Sequence, residues 1–314
     1  MRENTLYIVI PCYNEQEVLS ETAKQVFIKM SALMDSDKIS RDSKVMFVDD
    51  GSKDKTWQII EELCDYKDIF TGVKLSRNKG HQNALMAGLT TASEKADMLI
   101  SMDADMQDDI NAIDEFIEKY QSGCDVVYGV RDNRETDSFF KRFTAESFYK
   151  IMKVLGVDVT FNHADYRLMS KLAVQKLMEF EEVNLFLRGM VPLIGYKSDK
   201  VFYKRGERLA GESKYPLKKM ISFAIDGITS FSIKPLTMIA NLGIIIFFIS
   251  VLILIYSLIV NIIGNTQPGW TTLMASIWMI GGIQIFCMGV IGQYVGKIYF
   301  ETKRRPGFFI EKII

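Results

Sequence analysis

Between Pro235 and Gly296 the sequence has no Asp, Glu, Lys or Arg, a gap of about sixty residues in a chain of 314. An uncharged run of that length is too long for one buried helix of a soluble domain and must be divided and set in lipid. Metal-type and disulfide-type cysteine spacing is also absent. Cys12, Cys64, Cys124 and Cys287 stand far apart, as suits thiols in a reducing compartment that pack as small apolar residues. Excess basic charge is missing: 38 Lys and Arg face 39 Asp and Glu, for a net charge of -1, which argues against a general nucleic-acid binder. There is no internal repeat and no low-complexity segment, so solenoid and disordered classes are set aside. No signal peptide is read at the start, because the first apolar run, Leu6 to Ile10, is only strand-sized and leads into polar residues.

The uncharged stretch divides at Gly264-Asn265-Thr266-Gln267-Pro268-Gly269-Trp270, where Gly and Pro punctuate any helix and Trp suits a membrane interface. Two spanning helices are expected, near 236–263 and 271–296. Lys218, Lys219 and Lys234 precede them and Lys297, Lys303, Arg304 and Arg305 follow, while the connecting loop carries no basic residue. Basic residues resist translocation, so the expectation is a multi-pass protein of the cytoplasmic membrane with both termini in the cytoplasm. Residues 217–234 mix Lys218 and Lys219 with Met220, Ile221, Phe223, Ala224, Ile225 and Ile228, the pattern of an amphipathic helix lying at the headgroups. Residues 298–314 are read as a cytoplasmic tail. The spans equally fit a plain anchor without substrate contact.

Residues 1–130 alternate short β-rich runs with helical patterns, the rhythm of an α/β domain with a largely parallel sheet, and the soluble domain is expected to run over 1–216. Strands are expected at Leu6–Ile10, Val45–Val48, Gly72–Leu75, Met98–Met102 and Asp125–Tyr128. Helices are expected at Glu17–Met34, with Val18, Ala23, Val26, Phe27, Met30 and Met34 on one face, and at Thr56–Cys64. Polar clusters follow the strands: Pro11-Cys12-Tyr13-Asn14-Glu15, then Asp49-Asp50-Gly51-Ser52, then Asp103-Ala104-Asp105. In open α/β sheets ligands bind beyond the carboxyl ends of the strands. Any one acidic pair there is as well explained as a helix cap, but three on one edge point to a site.

Asp103-x-Asp105 places two hard oxygen ligands on alternate sides of an extended strand. They suit Mg or Mn with a diphosphate completing the shell, and such a cation neutralises charge on a departing nucleotide. Gln107-Asp108-Asp109 is read as the opening of a helix. Arg77-Asn78-Lys79-Gly80-His81-Gln82-Asn83 precedes a small-residue helix, where basic groups beside a helix N-terminus favour phosphate. A solvated charged loop is the alternative reading, and His81 by itself reads more readily as a packed or loop histidine than as a catalyst.

The series Ile8-Val-Ile-Pro-Cys-Tyr-Asn-Glu15, Phe47-Val-Asp-Asp-Gly-Ser52, Ser76-Arg-Asn-Lys-Gly-His-Gln82 and Met102-Asp-Ala-Asp-Met-Gln107 resembles family-2 glycosyltransferases of the GT-A fold. The likeness is to the polyprenyl-phosphate type, relatives of dolichol-phosphate mannose synthase and bactoprenol glucosyltransferase. It continues through Asp165-Tyr-Arg167, Arg188-Gly189, Arg208-Leu-Ala-Gly-Glu-Ser-Lys-Tyr215 and Gly292-Gln-Tyr294 to Arg305-Pro306, in order along nearly the whole chain.

The resemblance implies inverting transfer of a sugar from a nucleotide diphosphate, UDP-glucose or UDP-N-acetylglucosamine, to a polyprenyl phosphate such as the undecaprenyl carrier. It implies that Pro11, Tyr13, Glu15, Asp49 and Arg77 hold the nucleoside, that His81 lines the donor pocket, and that Asp103 and Asp105 meet the diphosphate and metal. Asp165 falls beside the acceptor as base or orienting group, with a salt bridge to Arg167 as its structural alternative. Arg131, Arg134 and Arg142 fall where a lipid phosphate arrives, and Arg134 equally fits an exposed basic face. Arg208, Ser213 and Lys214 fall on a loop that closes over the donor, and a homo-oligomer, a tetramer, is implied. Gln293 stands before Tyr294 where relatives often carry Glu. The competing functions are a processive polysaccharide synthase, which the missing Gln-x-x-Arg-Trp and the single hairpin disfavour, and a silent membrane scaffold, which the retained Asp103, Asp105, Asp165 and Lys214 disfavour.

Overall fold

The computed structural model describes residues 4–131, 163–183, 185–204, 206, 232–262 and 269–314. Two compact units emerge. The first joins the N-terminal α/β region to residues 304–314, and the second contains the apolar helices.

In the first unit five strands follow the expected rhythm: β1 (Leu6–Cys12), β2 (Lys44–Asp49), β3 (Phe70–Leu75), β4 (Met98–Ser101) and β5 (Val126–Arg131). Between them lie α1 (Leu19–Asp35), α2 (Thr56–Tyr66), α3 (His81–Ser93) and α4 (Ala112–Gln121). In α1 the buried residues Leu19, Ala23, Val26, Met30 and Leu33 recur at helical spacing and face the core. Every residue of β1 is buried, as expected of a strand covered on both faces. Three further strands, β6 (His163–Ser170), β7 (Ser198–Tyr203) and β8 (Ile310–Ile313), complete an eight-stranded sheet of order β7-β5-β6-β4-β1-β2-β3-β8. The expectation of a largely parallel sheet holds for the centre, where β4, β1, β2 and β3 run parallel. It fails towards both edges, because β6 is antiparallel to β4 and to β5, and β8 is antiparallel to β3. Two short helices, α5 (Lys171–Met178) and α6 (Leu187–Leu193), follow β6.

The second unit contains α7 (Lys234–Ile262, 29 residues) and α8 (Trp270–Thr302, 33 residues). At 1.5 Å per residue each reaches about 40 Å or more, enough for a hydrocarbon core of about 30 Å. Among the described residues, Met279–Thr302 is one helix stretch long and apolar enough to cross a membrane. The Tyr294 hydroxyl donates to the Ser232 carbonyl at 2.7 Å, tying the end of α8 to the residues before α7. The segment 217–231 and the divider 263–268 lie outside the described residues.

The expected tail, 298–314, divides differently. Residues to Thr302 extend α8, and Ile310–Ile313 returns to the eight-stranded sheet as β8. Ile314 exchanges backbone hydrogen bonds with Gly72 at 2.9 and 3.0 Å. Lys74 pairs with Glu311 at 3.0 Å and Lys312 with Glu61 at 2.8 Å. A Cβ on Gly72 would stand 3.0 Å from Ile314 and 2.7 Å from Ile60, so glycine is what lets the last residue close over α2 and β3. Deleting residues 309–314 is expected to lower the thermal midpoint of the catalytic unit by about 2–8 °C, for a loss of ~1–2 kcal/mol of pairing and burial. Thermal unfolding of the detergent-solubilised chain checks this, and an unchanged midpoint would show β8 to be merely appended.

Candidate active site

Three loops at the carboxyl ends of β1, β2 and β3 are stitched into one rim. Asn14, with φ of 54°, receives the Lys53 N–H on its side-chain oxygen at 2.9 Å and donates its own N–H to the Ser52 hydroxyl at 3.0 Å. The Glu15 N–H donates to the Thr56 hydroxyl at 2.9 Å. Asp50 then reaches across to the third loop, its two oxygens accepting from the Lys79 and Gly80 N–H groups at 2.6 and 2.9 Å. Gly51 makes that approach feasible: its φ is +66°, and a Cβ there would lie 2.6 Å from the Arg77 and Asn78 backbone. Pro11 is buried, Tyr13 and Arg77 are exposed, and Glu15 is half-buried along this rim. Asp49 is fully buried, with Oδ1 accepting from Ser52 and Oδ2 lacking a protein partner. Burial pushes its carboxyl up. A buried acceptor with an open lone pair is suited to an N–H of a nucleobase.

Beyond β4 the chain does not continue as an extended strand. Ala104–Met106 forms a turn, with Met106 at φ of 54° and the Gln107 N–H donating to Asp105 at 3.2 Å. The expected placement of Asp103 and Asp105 on alternate sides of a strand is therefore replaced by a turn that gathers acidic groups, and α4 opens only at Ala112. Desolvation, followed by the charges of Asp108, Asp165 and Asp105 and opposed by His81, pushes the Asp103 carboxyl up to about 6. Such crowding of carboxylates is the environment a divalent cation relieves. Among the described residues no group of three or more His, Cys, Asp and Glu is arranged to hold an ion. Carboxylate oxygens such as those of Asp103 and Asp105, completed by ligand oxygens, are of the hard type that suits Mg or Mn.

His81, the first residue of α3, bridges two halves of the site. Its Nε2 lies 3.7 Å from Oδ1 of Asp103 and 3.8 Å from Oδ2 of Asp165. Asp165, in β6, is 7% exposed and held by two arginines. Arg167 donates to Oδ1 at 2.5 Å, and Arg188 of α6 donates to Oδ1 and Oδ2 at 3.2 and 3.0 Å. Burial alone would raise this carboxyl, but Arg188, Arg167 and His81 outweigh it and hold it well below the usual carboxylate range. The salt bridge to Arg167 is therefore real, and Arg188 is a second partner. The Leu187 N–H donates to the Gln82 side-chain oxygen at 3.2 Å, so the start of α6 is fastened to the start of α3 and delivers Arg188 to Asp165.

Arg131, at the end of β5, reaches Asp108 and the Tyr203 hydroxyl. Arg134, Arg142, Arg208, Ser213 and Lys214 lie outside the described residues. Gly206 donates to the Gln107 carbonyl at 2.9 Å, so the chain enters the Arg208 segment from beside the Asp-x-Asp turn. Sequence reasoning assigned no role to Asp50, Asp108, Gln82 or Arg188. For Asp50 and Asp108 the available signal was adjacency to an assigned carboxylate. For Arg188 it was only the Arg-Gly pair at the head of a short helix.

The glycosyl transferase family 2 profile matches residues 7–178, and a GtrB C-terminal hairpin profile matches residues 234–298. The uncharacterized glycosyltransferase YkoT of Bacillus subtilis is 50% identical over 306 residues, 98% of this chain and 91% of the relative. The prophage bactoprenol glucosyl transferase homolog of Escherichia coli is 37% identical over 308 residues, 98% of each chain. Among solved structures, glucosyl-3-phosphoglycerate synthase from Mycobacterium tuberculosis, in complex with Mn2+, UDP and phosphoglyceric acid, gives a TM-score of 0.47 at 14% identity over 72% of this chain and 76% of that one, a likeness too distant to carry weight. An α/β sheet with a polar rim at its carboxyl edge, a family profile over more than half of the chain and full-length relatives together mean that the protein belongs to glycosyl transferase family 2, an enzyme with a GT-A catalytic domain and a GtrB-type C-terminal hairpin.

Proposed function

We propose that this enzyme transfers a sugar, glucose or N-acetylglucosamine, from its UDP derivative to a polyprenyl phosphate at the cytoplasmic face of the membrane. The observation that carries the reading is the double clamp on Asp165, whose oxygens accept from Arg167 at 2.5 Å and from Arg188 at 3.2 and 3.0 Å. A hydroxyl acceptor needs a base that can take up its proton, and a carboxylate paired with two guanidinium groups is held below the usual carboxylate range. A phosphate acceptor is already ionised and needs only positioning and charge balance. Relatives named bactoprenol glucosyl transferase, such as that of Shigella phage SfII at 38% identity over 97% of each chain, support the same acceptor class.

In this reading Asp49 and the rim of Pro11, Tyr13, Glu15 and Arg77 hold the nucleoside, and the N-terminus of α3 with His81 faces the diphosphate. Asp103 and Asp105 hold Mg or Mn, whose charge would offset that of the departing diphosphate. An acceptor phosphate oxygen bonds to the anomeric carbon as the bond to the UDP oxygen breaks on the opposite face, so the configuration inverts. Arg131, with Arg134 and Arg142, draws in the acceptor, and Asp165 fixes Arg188 beside it. Two spanning helices with Lys234 before the first and Lys297, Lys303, Arg304 and Arg305 after or near the end of the second favour both ends on the cytoplasmic side. Only seven residues separate Thr302 from Ile310, too few to cross a bilayer (~3.3–3.6 Å per residue at most), so the return of β8 to the sheet supports the catalytic unit lying on that side.

The reading is tested by incubating the full chain in vesicles with Mn2+, undecaprenyl phosphate and a panel of nucleotide sugars, with mass measurement of the lipid. A gain of one hexose or N-acetylhexosamine from a UDP sugar is expected, and a product only with hydroxyl acceptors would overturn it. Two substitutions separate the parts of the clamp. Arg188→Ala leaves the Asp165–Arg167 pair intact and is expected to lower kcat by about 10- to 1000-fold with donor KM nearly unchanged. Asp165→Asn leaves Arg167, 1% exposed, without its anionic partner, and is expected to cost ~3–5 kcal/mol of stability as well. Thermal unfolding and steady-state kinetics on both variants check this. Equal destabilisation by both would make Arg188 a purely structural partner.

A further inference from the structure

Asp108 is a buried carboxylate that the account so far leaves without a task. Its side chain is 1% exposed, and Oδ2 has no hydrogen-bond partner. Its other oxygen accepts from the Tyr203 hydroxyl at 2.5 Å and from Nη2 of Arg131 at 3.5 Å. Nε of Arg131 also donates to the Tyr203 oxygen at 3.4 Å. The three residues meet because of strand register. Arg131 and Tyr203 end β5 and β7 as direct partners in a parallel pairing, and Asp108 comes from the turn that follows Asp103 and Asp105.

The surroundings favour a fixed device. Tyr203 is 4% exposed, and its ring packs edge-on against Tyr166, with centroids 5.3 Å apart at 89°. Tyr166 in turn donates to the Asp109 carbonyl at 3.0 Å, holding the segment that contains Asp108. Arg131, by contrast, keeps 27% of its side chain exposed. Carbon packing would have filled this place more cheaply than a buried carboxylate, which is costly unless it serves an ion partner. The forked donors of an arginine held in one orientation match phosphate oxygens.

We infer that Asp108 and Tyr203 are positioning residues that hold Arg131 in the orientation that receives the acceptor phosphate. The inference rests on the proposed assignment of Arg131 to the acceptor. Tyr203→Phe keeps the ring against Tyr166 and removes only the hydroxyl. It is expected to raise KM for the lipid phosphate about tenfold with donor KM unchanged, while the thermal midpoint falls by a few degrees because buried Asp108 loses a hydrogen-bond donor. Arg131→Ala is expected to raise the same KM at least as much, and in that background Tyr203→Phe is expected to add nothing. Asp108→Asn should follow Tyr203→Phe if it folds, but the cycle does not depend on it.

The outcomes are distinguishable. If Arg131→Ala raises the acceptor KM and Tyr203→Phe does not, the positioning inference fails and the acceptor assignment stands. If Arg131→Ala leaves that KM unchanged while the lipid product still forms, both the inference and the assignment of Arg131 fail, but lipid-phosphate transfer survives. If Tyr203→Phe shifts both KM values together, the trio is a structural brace and the inference is overturned.

Discussion

The concentration of negative charge at one sheet edge is the constraint on which the rest of this site depends. Burial first, and then the nearby charges of Asp108, Asp165 and Asp105, raise the Asp103 carboxyl. Each is managed differently. Asp165 is paired with Arg167 and Arg188, Asp108 leans on Tyr203 and Arg131, and Asp103 faces His81.

Precision in the donor half comes from backbone groups. Asp50 binds the Lys79 and Gly80 amides, Ser52 and Thr56 bind those of Asn14 and Glu15, and Gly51 allows the loops to meet. The two halves are joined mechanically as well as electrostatically, since Gln82 beside His81 fixes the backbone of Leu187 and hence Arg188. A substitution at the head of α3 should therefore be felt at the acceptor.

Much of this was legible in the sequence, for physical reasons that differ by element. The strands β1 to β5 and the helix α1 announce themselves because apolar runs and helical stripes alternate with polar loops. The rim is legible because its acidic pairs follow those strands. By contrast, β6 is hidden by the charges of Asp165 and Arg167 at its centre, which cancel only when β4, β5 and Arg188 surround them. In β7 only Val201 and Tyr203 face inward, too few to show a period. The pairing of β8 with β3 links residues about 240 apart, and nothing local announces it. The turn at Asp103–Asp105 reads as an extension of β4 because a positive φ at Met106 leaves no mark in the residue type. The hairpin is the opposite case: about sixty uncharged residues are visible without any structure.

The central claim is that the acidic rim is a shared site, with two carboxylates holding a cation that a nucleoside diphosphate completes. Electron paramagnetic resonance of Mn2+ titrated into the full chain, with and without UDP, tests it most directly. The account predicts weak binding to the protein alone, tightened about tenfold or more by UDP through linkage, and loss of the UDP-dependent signal in Asp105→Ala. UDP bound equally well in the presence of a chelator, or Mn2+ bound tightly and indifferently to UDP and to Asp105→Ala, would contradict it.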